Sequence, residues 1–169
     1  MEGISPGRST RKPDIPEADF CPEKILVPVD GSPNSFRALE VAAKIASKFH
    51  AEMRVLYVLQ QASALLYAIS APGTPTIITD EYYTSAEEEA SGFLSKMMTI
   101  ARNNEVHCTE EIIRTASSIV NTIVTNSKAD NVDLIVIGTR GLGGFRRMLL
   151  GSVSSGVVAH ASCSVLVVR

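Results

Sequence analysis

LIVIGTRGLGGFRRMLLGSVSSG, residues 134 to 156, decides the reading of this chain. It opens on LIVIG (134–138), a continuous apolar run that reads as a strand buried on both faces. A glycine-rich loop follows, and then a helix over about 152–161. Gly151 and Ser152 fall at the start of that helix, where the first amides have no partner inside the helix. Those amides, with the hydroxyls of Ser152 and Ser154, can hold phosphate oxygens. Gly138 and Gly141 permit close backbone approach and positive φ. Read on composition alone, the loop is equally a connector in which Ser152 is a plain N-cap. Two better-known glycine loops are excluded. No Gly-Lys-Ser/Thr follows, and GLGGFR carries Arg146 where a dinucleotide fingerprint has its third glycine.

Outward from this segment, the same alternation recurs. KILVPVD (24–30) reads as a strand that ends in the Asp30-Gly31-Ser32-Pro33 turn. Ser32 followed by Pro33 is a helix start, and Ala38, Val41, Ala42, Ile45 and Phe49 then recur at helical spacing. MRVLYVL (53–59) is a second strand. Residues 60–83, with Pro72, Gly73 and Pro75, read as a long irregular loop. Ser85 with Glu88 fits a capping box, and Phe93, Leu94, Met97, Met98 and Ala101 give a second apolar helix stripe. VHCTEEIIR (106–114) alternates weakly and reads as a strand nearer an edge. Ala116, Ile119, Val120, Ile123 and Val124 make a third helix, and SVLVV (164–168) a fifth strand.

The order β-α-β-α-β-α-β-α-β predicts an α/β fold: a parallel sheet with helices on both faces. Ligands of such sheets lie beyond the carboxyl ends of the strands, at the switch point. Asp30 ends the first strand and Gly138 the fourth, so the two share a crevice if those strands are neighbours. Pro28 sits inside the first strand, where it removes a ladder donor; it is expected to mark an early end or irregularity beside the site.

Composition sets the outer bounds. With 169 residues, 45% of them apolar and 20% charged, the chain is long enough for one domain and too apolar for a disordered chain. No apolar run can span a bilayer as a helix, and MEGISPGRSTRKPDIPEADF at the start has no signal-peptide core. A cytoplasmic protein without a membrane segment is expected. Prolines 6, 13, 16 and 22 place a disordered or extended tail at residues 1–22 and the folded domain at 23–169. The net charge of −2 hides an asymmetry: the last 36 residues contain no Asp or Glu, yet carry Arg140, Arg146, Arg147 and Arg169 and six of the eleven glycines. An acid-free, glycine-rich, arginine-bearing segment suits an anion site, and equally a solvated face. A pI near 5.9 argues against a nucleic-acid partner. Cys21, Cys108 and Cys163 are too scattered for a disulfide framework or a metal site; Cys108 and Cys163 are expected to pack as small core residues. His50, His107 and His160 lack metal spacing, and no Ser-His-Asp or Cys-His constellation is present.

The spacing within the loop carries a resemblance. Gly138, two residues, Gly141, nine residues, then Gly151-Ser152 is the G-x2-G-x9-G-S pattern of ATP-binding universal stress proteins. ILVPVDGSPNS and the terminal strand SVLVVR resemble the same family, over roughly residues 24–169. The resemblance implies a five-stranded parallel sheet of order 3-2-1-4-5 and ATP across the ends of strands one and four. It implies that Asp30 bonds the ribose hydroxyls, that Gly138 lies against the sugar, and that Val58 meets the adenine edge through its backbone while Pro28 lines the pocket. Gly141, Gly151, Ser152, Val153 and Ser154 would bind the phosphates, and Arg146 or Arg147 is expected to face them. Mg2+ or Mn2+ would accompany the phosphates, held by them and by water rather than by protein ligands. The family often pairs through its last strand, so a homodimer through Val165, Leu166, Val167 and Val168 is expected; an apolar edge strand is rarely left bare. The chain departs from the family at Ser164, where Cys-Pro is usual. The expected function is a nucleotide-dependent regulatory module in stress response. The alternatives are a slow ATP hydrolase or nucleotidyl transferase, with at most weak turnover and no assignable catalytic residue, and a nucleotide-independent dimeric interaction protein.

Overall fold

The structure is a computed structural model, and it describes residues 20–60, 80–142 and 150–169. Nine elements alternate along it: β1 (Lys24–Val29), α1 (Pro33–Phe49), β2 (Glu52–Gln60), α2 (Asp80–Asn103), β3 (Cys108–Thr115), α3 (Ile119–Ala129), β4 (Leu134–Gly138), α4 (Ser152–His160) and β5 (Ser164–Val168). The five strands form one parallel sheet in the order β3-β2-β1-β4-β5, as the resemblance implied. The expected edge position of the third strand holds. Among the described residues, no helix is long and apolar enough to cross a membrane.

Side chains of the central strands alternate between two cores. Ile25, Val27 and Val29 pack with Ala38, Leu39, Ala42, Ala43 and Ala46 of α1 and Leu94, Met97 and Ala101 of α2. Leu26, Leu56, Val58, Ile135 and Ile137 face the other way, with Ile123 of α3 and Val157 of α4. Both faces of β1 and β4 are therefore buried, which is why their sequences run apolar without alternation. Each buried aliphatic side chain contributes about 1.5–3 kcal/mol, so a slip of one residue in β1 would exchange two filled cores at once. Cys108 and Cys163 pack at the margins of these two cores. Burial pushes the Cys108 thiol up to about 11 and raises that of Cys163 as well, leaving both without reactive thiolate at neutral pH.

Two helices differ from expectation at their N-terminal sides. α2 is already helical at Asp80, so Ser85 lies inside the helix and does not cap it, and residues 80–83 are helical rather than irregular. Arg114 of β3 ties this turn to the sheet: it grips Glu87 with two bonds of 2.5 and 2.7 Å and lies 5.5 Å from the Tyr83 ring centroid. α3 begins at Ile119, with Ala116 outside it, because Ser118 accepts the Asn121 amide as N-cap. The rest of the expected 60–83 loop, 61–79, and residues 1–19 of the expected tail lie outside the described residues.

Pro28 remains inside β1, opposite Leu56 of β2. The β1–β2 register runs on to Val29–Tyr57, whereas the β1–β4 register covers only Ile25–Leu134 and Leu26–Ile135. The missing donor thus falls where β1 and β4 have stopped pairing, and the sheet opens between them towards its carboxyl end.

Candidate functional site

The opening is the mouth of a cleft of about 550 Å3 at the carboxyl ends of β1, β2 and β4. Its size is ordinary for a small-molecule site. The structure brings Pro28, Asp30, Val58, Gly138, Gly141, Gly151, Ser152, Val153 and Ser154 into the wall of this one cleft. Arg146 and Arg147 lie outside the described residues.

The cleft has an apolar end and a polar end. Pro28, Leu56, Val58, Ile119, Ile123 and Ile137 form the apolar end, on the α3–α4 side of the sheet. Val58 lies one position past Tyr57, the last β2 residue with a β1 partner. Beyond it β2 is laddered to β3 alone, so backbone groups facing the β1 side have no strand to bond.

Among the described residues, Asp30 is the one acid in the wall. It is half-buried, its Oδ1 accepts the Ser32 amide and its Oδ2 the Leu142 amide, both at 3.0 Å. Gly31 turns the chain between Asp30 and α1 with φ +78, and a Cβ there would press to 2.9 Å from the Phe93 ring. The first turn of α1 also holds the loop after β4. Ser32 Oγ and Asn34 Nδ2 both donate to the Arg140 carbonyl, at 3.4 and 3.2 Å. Gly138 allows this approach, since a Cβ on it would stand 2.9 Å from the Asn34 backbone.

The start of α4 supplies donors. Gly151, not Ser152, is its N-cap, and it makes no side-chain capping bond; α1 and α3 are capped by Ser32 and Ser118. The first helical bond runs from Ser155 N to Gly151 O, so the amides of Ser152, Val153 and Ser154 have no acceptor within the helix. Together with the helix dipole they form a positive end suited to an anion. The Ser154 side chain serves the loop instead. It is buried, and its hydroxyl lies 3.0 Å from both the Thr139 and Gly151 carbonyls, so its single proton is committed there. Ser154 therefore offers the cleft its amide.

This arrangement can receive a flat apolar group against its aliphatic wall and an anion at the helix end, with a carboxylate in the same wall to accept hydroxyl donors. Among the described residues the wall holds no histidine or cysteine, and there is no cluster of metal-ligating side chains. Sequence reasoning missed Asn34, which carries no periodic signal, and Ile119 and Ile123, whose i,i+4 spacing reads as a core stripe. Arg140 and Leu142 also belong to the wall.

Comparison with known proteins gives concordant results. The model of the universal stress protein family matches residues 22–169. Universal stress protein YxiE of Bacillus subtilis is 32% identical over 147 residues, covering 86% of this chain and 98% of that protein. Universal stress protein MJ0531 of Methanocaldococcus jannaschii is 34% identical, covering 87% and 82%. Among solved structures, UspA from Lactobacillus plantarum superposes with a TM-score of 0.73 at 29% identity, covering 86% of this chain and 97% of its own. Two neighbours of the same fold were solved with nucleotides. A universal stress protein in complex with cAMP has a TM-score of 0.62 at 22% identity, covering 88% and 98%. One from Archaeoglobus fulgidus in complex with dAMP has a TM-score of 0.63 at 24% identity, covering 86% and 97%.

Proposed function

This chain belongs to the universal stress protein family, and we propose that it binds an adenine nucleotide, ATP in the first place, in the cleft between β1 and β4. One observation carries the reading: an apolar bay, a carboxylate and a helix end without a side-chain cap line a single cleft. Adenine would occupy the bay of Pro28, Leu56, Val58, Ile119, Ile123 and Ile137. The ribose hydroxyls would donate to Asp30, with the sugar against Gly138. The phosphates would accept from the amides of Gly141, Ser152, Val153 and Ser154; Gly151, whose amide is held by the Thr139 carbonyl, would line the phosphate site without donating.

The neighbours solved with cAMP and dAMP support an adenine nucleotide. The triphosphate rests on the G-x2-G-x9-G-S spacing. Mg2+ or Mn2+ would ride on the phosphates and water, because the Asp30 carboxylate already accepts two amides and would face the ribose hydroxyls.

Occupancy of this cleft is the signal in our reading, and the protein acts as a nucleotide-dependent regulatory module in the cytoplasm. It does so as a homodimer through β5, where Leu166 is exposed on an apolar strand. Protein purified without added nucleotide, denatured and chromatographed, should release adenine nucleotide. Release of a different compound, with no displacement by ATP, overturns the reading.

A further inference from the structure

Asn34 occupies the second position of α1 but does not serve its own helix. Its side-chain amide crosses 106 sequence positions to the Arg140 carbonyl, which also accepts the Ser32 hydroxyl. Two donors on one carbonyl fix the plane of the Arg140–Gly141 peptide. A trans peptide points its N–H opposite to its carbonyl. The carbonyl is turned toward the first turn of α1, whereas Ile119 and Ile123 of α3 and Ser152, Val153 and Ser154 of α4 stand in the wall of the cleft that Gly141 also lines. The Gly141 N–H thus points away from the two α1 donors, and Gly141 itself lines the cleft. Asp30 fixes the next amide, that of Leu142.

We infer that Asn34 is a positioning residue: with Ser32 it sets the Arg140–Gly141 peptide so that the Gly141 N–H meets the phosphates of a bound nucleotide. The inference rests on the nucleotide reading above and deepens it. Asn34 touches no ligand in this account; it acts through the peptide. Its removal thus affects ligands that have phosphates and spares those that do not.

The test uses the full chain, its Asn34→Ala and Asn34→Leu variants, and calorimetric titration with ATP and with adenosine. Both variants should bind ATP about tenfold more weakly, the cost of one misdirected charge-assisted bond. Adenosine affinity should stay within about twofold of the parent, since no adenosine contact is lost. In ligand-free protein the Gly141 amide resonance should shift in both variants. Unchanged ATP affinity, an unmoved Gly141 resonance, or a parallel loss of ATP and adenosine overturns the inference; the last marks a merely structural role. If the parent binds neither compound, the nucleotide reading itself fails and this inference with it.

Discussion

Asp30 Oδ2 accepts the Leu142 amide at 3.0 Å, joining the end of β1 to the loop that leaves β4. The other oxygen accepts from Ser32, so two amides orient the carboxylate before any ligand arrives. A carboxylate has about four acceptor directions, and the remainder suit a vicinal diol. Asp30→Ala should remove both functions. ATP affinity should fall by about tenfold or more. The Leu142 amide should exchange faster in the ligand-free protein, because its acceptor is gone. Calorimetry and hydrogen exchange read the two effects separately.

Gly141 and Gly138 should respond differently to alanine. A Cβ on Gly141 would overlap Asp30 Oδ2, the end of a side chain that can turn aside. Gly141→Ala should therefore weaken ATP binding while leaving thermal stability close to the parent's. A Cβ on Gly138 would meet the Asn34 backbone, which cannot turn aside. Gly138→Ala should destabilise by about 1–3 kcal/mol, read from denaturant midpoints.

Ser154→Ala separates hydroxyl from amide. The hydroxyl is committed to Thr139 and Gly151, and Thr139 O keeps the Gly151 amide at 2.7 Å. The variant should lose about 1 kcal/mol of stability, and its ATP affinity should stay within about threefold. A large selective loss of ATP binding would show that the hydroxyl turns to the phosphates instead.

Glu87 gives the pH prediction. Its pKa is lowered chiefly by the hydrogen bonds from Arg114; desolvation opposes this, and the Arg114 charge adds a smaller lowering. A depressed carboxylate contributes stability that is present above its unfolded pKa and lost as pH falls through its folded pKa. The urea midpoint of the parent should exceed that of Glu87→Gln at neutral pH. The gap should close as pH falls below the ordinary glutamate range. A gap that stays constant to low pH would contradict this.

The two ends of the sequence differ in how much of this they disclose. LIVIG and SVLVV coincide with β4 and β5 because unbroken apolarity bounded by charge and glycine marks a strand directly. Ser85 fits a capping box by spacing yet lies inside α2, and the Arg114–Glu87 pair that ties this turn to β3 is a contact local spacing does not contain. Ile119 and Ile123 illustrate another limit: a helical stripe is the same whether it closes a core or floors a cleft. Strand order came through the family resemblance, since alternation alone fixes parallel strands and not their sequence across the sheet.

The dimer has its own test. Leu166→Asp places a charge on the exposed side of β5 and should leave a monomer in sedimentation, with fold and ATP affinity retained. A parent chain that is itself monomeric at high concentration would contradict the proposed pairing.

The central claim is nucleotide binding in the β1–β4 cleft. Titration of ATP with Mg2+ into nucleotide-stripped full-length chain tests it most directly, with Asp30→Ala alongside. The account predicts saturable binding of one nucleotide per chain, displaced by other adenine nucleotides and much weakened in the variant. No binding heat and no displacement at millimolar ATP, or equal binding by the variant, would contradict it.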